Sequence, residues 1–170
     1  MSDEILHEPN RTTVPVHSKR LGRELAMQFL FRCDVCGETP EMERFDAFYP
    51  QAAEVLGLPE NRVARKARDY AMRVFTLVAV NRDQIDKTIA ARAEHWDLDR
   101  LSVVDRNIMR VATAEMLFCD DIPPVVSIDE AVEIARDYSN PAAGNFINGV
   151  LNAVKNQLTR SPRGEKETQA

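Results

Sequence analysis

Residues 101–158 read LSVVDRNIMRVATAEMLFCDDIPPVVSIDEAVEIARDYSNPAAGNFINGVLNAVKNQL, and the spacing of apolar residues and helix signals in this stretch decides the fold. Ser102 precedes a run in which Leu101, Val104, Ile108 and Val111 recur at helical spacing. A serine there accepts a hydrogen bond from a free first-turn N–H, and Asp105 three residues on suits the positive end of the helix dipole. Asp120-Asp121-Ile122-Pro123-Pro124 ends that helix, because neither proline supplies a ladder N–H. Ser127 and Glu130 have the S-x-x-E spacing of a capping box and predict the next helix start, with Ile128, Ala131, Val132, Ala135 and Tyr138 as its apolar face. Asn140-Pro141 predicts a third start, asparagine as cap and proline in the first turn. Phe146, Ile147, Val150, Leu151, Val154 and Leu158 follow at helical spacing.

The same period governs the rest of the chain. Ser18 to about Val35 predicts a first helix with Leu21, Leu25, Ala26, Phe29, Leu30 and Cys33 buried. Phe45, Phe48, Tyr49, Ala52, Val55 and Leu56 predict a second, kinked or restarted at Pro50 and closed at Gly57. Its aromatic residues have the period of a buried face rather than of a base-stacking platform. Pro59 to about Val80 predicts a long helix on Val63, Ala67, Tyr70, Val74 and Leu77, and Asp83 to about His95 a shorter one on Ile85, Ile89 and Ala93. Trp96 is expected as an anchor between halves, with His95 beside it as a structural residue. Residues 1–17 and 159–170 are polar and predict disordered ends flanking one domain, 18–158. The sum is an all-α chain: a compact bundle of about seven helices in two packed halves, the first running to about Val80.

Composition excludes several functions. With 44% hydrophobic and 29% charged residues the chain is an ordinary soluble globule, and its formal net charge is −5. A protein living by non-specific nucleic-acid binding is normally basic, so any RNA site here is a local patch. Three cysteines make no disulfide framework. Cys33-Asp34-Val35-Cys36 lacks the second pair that zinc requires and the strand–helix context of a redox site, so Cys33 is read as a packing residue. No apolar run is long enough to span a membrane and no signal peptide is visible, which makes the cytoplasm the expected location. No P-loop, dinucleotide fingerprint or nucleophile motif is present, so no catalysis, metal or cofactor is expected.

Three features suggest binding. Lys19, Arg20 and Arg23 sit in the first turns of the first helix, where cations oppose the dipole and a bound phosphate would relieve them. The alternative is a solvated helix start. Arg62, Arg65, Lys66, Arg68 and Arg73 form a second basic run, read first as a solvated face and second as an RNA contact. Asn145, Asn148 and Asn152 are three and four apart, an amide stripe able to bond a helix, a base or a phosphate. Gly149 beside it would allow close helix approach, and Phe146 is either core or a stacking surface. Glu115, inside an apolar run, must be paired if buried, with an arginine or a helix N-terminus as partner.

The ordered set Val104-Asp105-Arg106-Asn107-Ile108-Met109-Arg110-Val111-Ala112, Glu115-Met116-Leu117, Asp121-Ile122-Pro123-Pro124, Ile128 to Ala135 and Asn145-Phe146-Ile147-Asn148-Gly149-Val150-Leu151 resembles the NusB family of bacterial transcription antitermination factors. A weaker match runs from Arg23-Glu24-Leu25-Ala26 to Gln28-Phe29-Leu30-Phe31. The resemblance implies a non-enzymatic factor that binds the boxA element of nascent ribosomal RNA together with NusE, a small-subunit ribosomal protein, and then joins NusA, NusG and RNA polymerase. It implies Lys19, Arg20 and Arg23 as phosphate contacts, with Asn145, Phe146 and Asn148 as further RNA candidates and Phe31 and Asp105 near the NusE contact. Leu21 and Gly22 interrupt the family's basic run, and Ser139 to Gly144 replaces a segment that is often charged in the family. Two rivals stand beside it: a protein-only helical adaptor, and an RNA-binding module related to the N-terminal domain of rRNA cytosine methyltransferases. The 170 residues leave no room for a cofactor-binding α/β domain, so no free-standing methyltransferase is expected. Monomer and homodimer are equally compatible with the sequence.

Overall fold

The computed structural model describes residues 17–93 and 101–158. Those residues form seven helices and no strand: α1 Ser18–Cys36, α2 Met42–Val55, α3 Arg62–Val80, α4 Arg82–Ala90, α5 Val103–Phe118, α6 Pro124–Tyr138 and α7 Ala143–Asn156. The readings of Trp96, His95 and the two ends fall outside the described residues, His17 excepted.

Helix α5 lies at the centre. From Asp105 to Met116 every residue but Arg106 is buried, the burial pattern of a helix packed on all sides. It packs against α1, α3, α4, α6 and α7. The first half is built on α1 and α3, whose inner faces meet over an aromatic cluster. Phe29, Phe45 and Phe75 lie 4.8 to 5.2 Å apart, and Phe48 and Tyr49 flank them. The cluster is core, as its period predicts. Helix α2 continues through Pro50 instead of restarting there. Gly57 follows it at φ 62°, a left-handed conformation that glycine adopts without steric cost.

Local signals explain two starts. Ser102 Oγ accepts from the Asp105 N–H at 3.0 Å, and Asn140 Oδ1 accepts from the N–H groups of Ala142 and Ala143. The Ser127 capping box does not form. Helix α6 begins four residues earlier than that box implies, at Pro124, whose missing N–H is an orphan in the first turn anyway. Ser127 is then inside the helix, and its hydroxyl is drawn to a buried carboxylate on α5.

Candidate nucleic-acid interface

The start of α1 carries the first set of expected contacts, and the structure separates their fates. His17 caps the helix, its Nδ1 accepting from the Lys19 N–H at 3.3 Å. Lys19 is partly exposed, its Nζ 3.9 Å from Asp121 and 5.8 Å from the centre of the Tyr70 ring. Arg20 is half-buried and lies among three carboxylates: Glu24 at 2.8 Å, Asp137 at 3.1 Å and Glu130 at 3.4 Å. Burial works against its charge, but the Glu24 hydrogen bond and the surrounding acids override that and raise its pKa.

Arg23 corrects the sequence reading. It is 4% exposed and points into the core. Its Nε and Nη2 donate to Glu115 Oε1 and Oε2 at 2.6 and 3.0 Å, a two-pronged pair between α1 and α5. Ser127 Oγ donates to the same carboxylate at 3.1 Å, and Tyr70 covers the guanidinium. Glu115 is fully buried, so it has the arginine partner that an acid at such a position requires. A guanidinium so enclosed has no surface to offer a phosphate. Its position was readable: Arg23 lies four before Met27 and seven before Leu30, so extending the apolar stripe backwards places it inside.

Gly22, read from the sequence only as an interruption of the basic run, is a packing residue between α1 and α3. A Cβ there would lie 2.9 Å from the Ala67 carbonyl oxygen and 2.9 Å from Tyr70 Cβ. Only a residue without a side chain lets α1 approach α3 this closely. Beside this contact lies an open groove of about 480 Å³ lined by His17, Ser18, Lys19, Lys66, Asp69, Tyr70 and Arg73. At its edge Arg73 binds Asp121 in bidentate fashion, at 2.6 and 3.0 Å. That hydrogen-bonded pair pushes the Asp121 carboxyl down to about 2. The Tyr70 hydroxyl is buried, and burial, followed by the charge of Glu115, raises its pKa.

The other candidates lie apart from this groove. Asn145 and Asn148 are exposed on α7, with Phe146 half-buried between them. Asn152 donates to the Asn148 carbonyl and side-chain oxygens, so part of the amide stripe is satisfied internally. The close approach expected at Gly149 is absent: among the described residues a Cβ there would meet nothing within 4 Å. Phe31 is 37% exposed on α1, with Val35 one turn on at 62%. Asp105 is 8% exposed and accepts from Ser139 Oγ at 2.6 Å, so it ties α5 to the end of α6 and leaves little surface for a partner. Cys33 is buried, which pushes its thiol up to about 11, and Cys36 is exposed.

Residues 20–156 match the NusB family. The transcription antitermination protein NusB of Chloroherpeton thalassium is 42% identical over 142 residues, which cover 83% of this chain and 63% of that protein. The corresponding protein of Desulfotalea psychrophila is 39% identical, over 81% of this chain and 94% of its own length. Among solved structures, a crystal structure of antitermination factors NusB and NusE in complex with double-stranded RNA superimposes with a TM-score of 0.67. It is 26% identical and covers 82% of this chain and 96% of its own.

Proposed function

The chain belongs to the NusB family, and from that premise we propose that it is an RNA-binding transcription antitermination factor without catalytic activity. It binds boxA of nascent ribosomal RNA in the cytoplasm, together with NusE, and joins NusA, NusG and RNA polymerase through that complex. The observation that carries this reading is the basic groove at the start of α1, lined by Lys19, Lys66 and Arg73, in a chain of net charge −5. Long-range attraction to phosphate is weak in such a molecule, so a local patch and a partner must supply the affinity. Lys19 contacts phosphate. Arg20 contributes where RNA can compete with its three carboxylates, and Phe146, Asn145 and Asn148 offer a ring and amides to unpaired bases. NusE docks near the exposed Phe31–Val35 pair.

A protein-only adaptor is the second reading, and a specific observation favours it: two of the three expected helix-one cations are already neutralised, Arg20 by acids of α1 and α6 and Arg23 by Glu115. Titration of labelled boxA RNA against a scrambled RNA, with and without NusE and at two salt concentrations, separates the two. Selective binding that tightens with NusE is expected, since a partner that adds contacts raises affinity by linkage. Equal, salt-erased binding to both RNAs alongside tight NusE binding would leave the adaptor standing.

A further inference from the structure

The outer face of α3 carries Arg62, Arg65, Lys66, Asp69 and Arg73. At 3.6 residues per turn these positions fall within an arc of about 100°, opposite the buried face of Ala67, Ala71, Val74 and Val78. The structure divides the basic run in two. Arg68 is committed to Asp46 at 2.6 Å and Arg73 to Asp121. Arg62, Arg65 and Lys66 are exposed and make no ion pair among the described residues. We infer that Arg62, Arg65 and Lys66 form a phosphate-binding track that carries the RNA backbone from Lys19 along the outside of α3, an inference that rests on the RNA-binding reading above.

Three observations converge on this. First, α1 and α3 run parallel: Gly22 meets Ala67 and Tyr70, Phe29 meets Phe75, and Asp34 at the end of α1 reaches Arg82 just beyond α3. Residues 17–19 share a groove with Lys66, Asp69, Tyr70 and Arg73. The close approach at Gly22 therefore places Lys19 beside Lys66, and Arg65 and Arg62 extend the line by about 6 Å of helix. Second, these cations occupy the first turns of a 19-residue helix with no acid in its first turn. Such placement opposes the dipole and is unfavourable for folding alone, whereas the free N–H groups and the cations together suit an anion. Helix α1 has the same arrangement, with no first-turn acid. Third, most acids around the track are occupied. Asp121 is held by Arg73, and Glu24 by Arg20 and the Tyr138 hydroxyl. Asp69 and Glu60 are the exposed exceptions on this side.

The ligand chemistry is a flexible phosphodiester chain, because the track is a line of separated long cations and Tyr70, the ring beside Lys19 and Lys66, is buried rather than offered for stacking. It adds affinity without base discrimination. The test compares the full-length protein with R62Q/R65Q/K66Q and with R32Q/K87Q/K155Q, which removes the same charge elsewhere. Each is titrated with boxA and scrambled single-stranded RNA from about 50 to about 200 mM salt. With about 0.7 counterions released per phosphate contact, the α3 variant should flatten the log–log salt slope by about 2. Its affinity gap from wild type then narrows about 20-fold across that range, equally for both RNAs. The control should keep the wild-type slope. The α3 variant should melt no lower than wild type, since it loses cations from a helix N-terminus. Wild-type binding with a slope that the α3 variant leaves unchanged overturns the track, as does equal flattening by both variants. No wild-type RNA binding at all would instead remove the RNA reading on which the track rests.

Discussion

Removing the Glu115 carboxylate leaves the Arg23 guanidinium charged inside the core, and burying an uncompensated charge is among the most expensive single changes a protein can suffer. Glu115→Leu should cost about 3 kcal/mol, the low end of the usual range for a broken buried pair. Glu130 lies 3.6 Å from Arg23 Nη1 and retains part of the attraction. Adding Arg23→Met should recover most of that loss, because an apolar pair of similar volume needs no partner. Urea unfolding of wild type, both single variants and the double variant measures the coupling. A double variant as unstable as the sum of the singles would mean that the pair's geometry, rather than its charge, holds α1 on α5. Each end of this pair had a separate sequence signal. Glu115 stood in an apolar run and demanded a partner, and Arg23 stood on the backward extension of the α1 stripe. Their connection spans 92 residues of chain, and no local pattern specifies which arginine meets which acid.

At the scale of the helix, Gly22→Ala sets two effects of opposite sign against each other. Alanine in a helix interior is normally worth about 0.5 to 1 kcal/mol over glycine. Here its methyl would meet a backbone carbonyl and a Cβ, neither of which can rotate away, and overpacking of that kind costs about 1 to 3 kcal/mol. The overpacking term wins, so the variant should unfold about 1 kcal/mol more easily than wild type in a denaturant titration. A stabilised variant would show that α1 slides on α3 without loss. A second junction joins α1, α4 and α5. Asp34 accepts from Arg82 at 2.7 Å, Arg110 at 2.8 Å and Asn107 at 2.9 Å, while Arg110 also grips Asp86. Burial pulls the Asp34 pKa upward, but those hydrogen bonds and the two guanidiniums outweigh it and hold it below the usual carboxylate range. A carboxyl depressed in the folded state adds stability above its unfolded pKa of about 3.9, and that stability is lost as pH falls through the folded value. With Asp121 at about 2, the loss should fall between about pH 4 and pH 2. The melting temperature of wild type should drop across that window. Asp34→Asn should start lower at pH 6 and drop less. Helix starts such as Ser102 were legible because cap and acceptor are neighbours in sequence. The Ser127 capping box was misread because a buried carboxylate twelve residues away competes for the same hydroxyl.

Across the whole molecule, the all-α bundle was readable because the apolar period recurs in every helix, even where a single signal such as the Ser127 box or Pro50 misleads. The candidate interface was less so, because a cation's availability depends on which acids the fold brings to it. Of the eight cations considered on α1 and α3, Arg23 is buried, Arg20 is clasped, and Arg68 and Arg73 are paired. Lys19, with Asp121 only at 3.9 Å, joins Arg62, Arg65 and Lys66 as groups able to meet phosphate without first giving up a close partner. Four such contacts bound the electrostatic part of single-strand binding: the log–log salt slope without NusE should be no steeper than about −3. A chain of net charge −5 adds no favourable long-range field, so the slope counts local contacts and little else. A measured slope near −5 or steeper would require additional cations, and Arg20 is the nearest reserve. Its three carboxylates would then have to release it on binding. Arg20→Gln would separate the cases, leaving a four-contact interface unchanged and flattening a larger one by about 0.7.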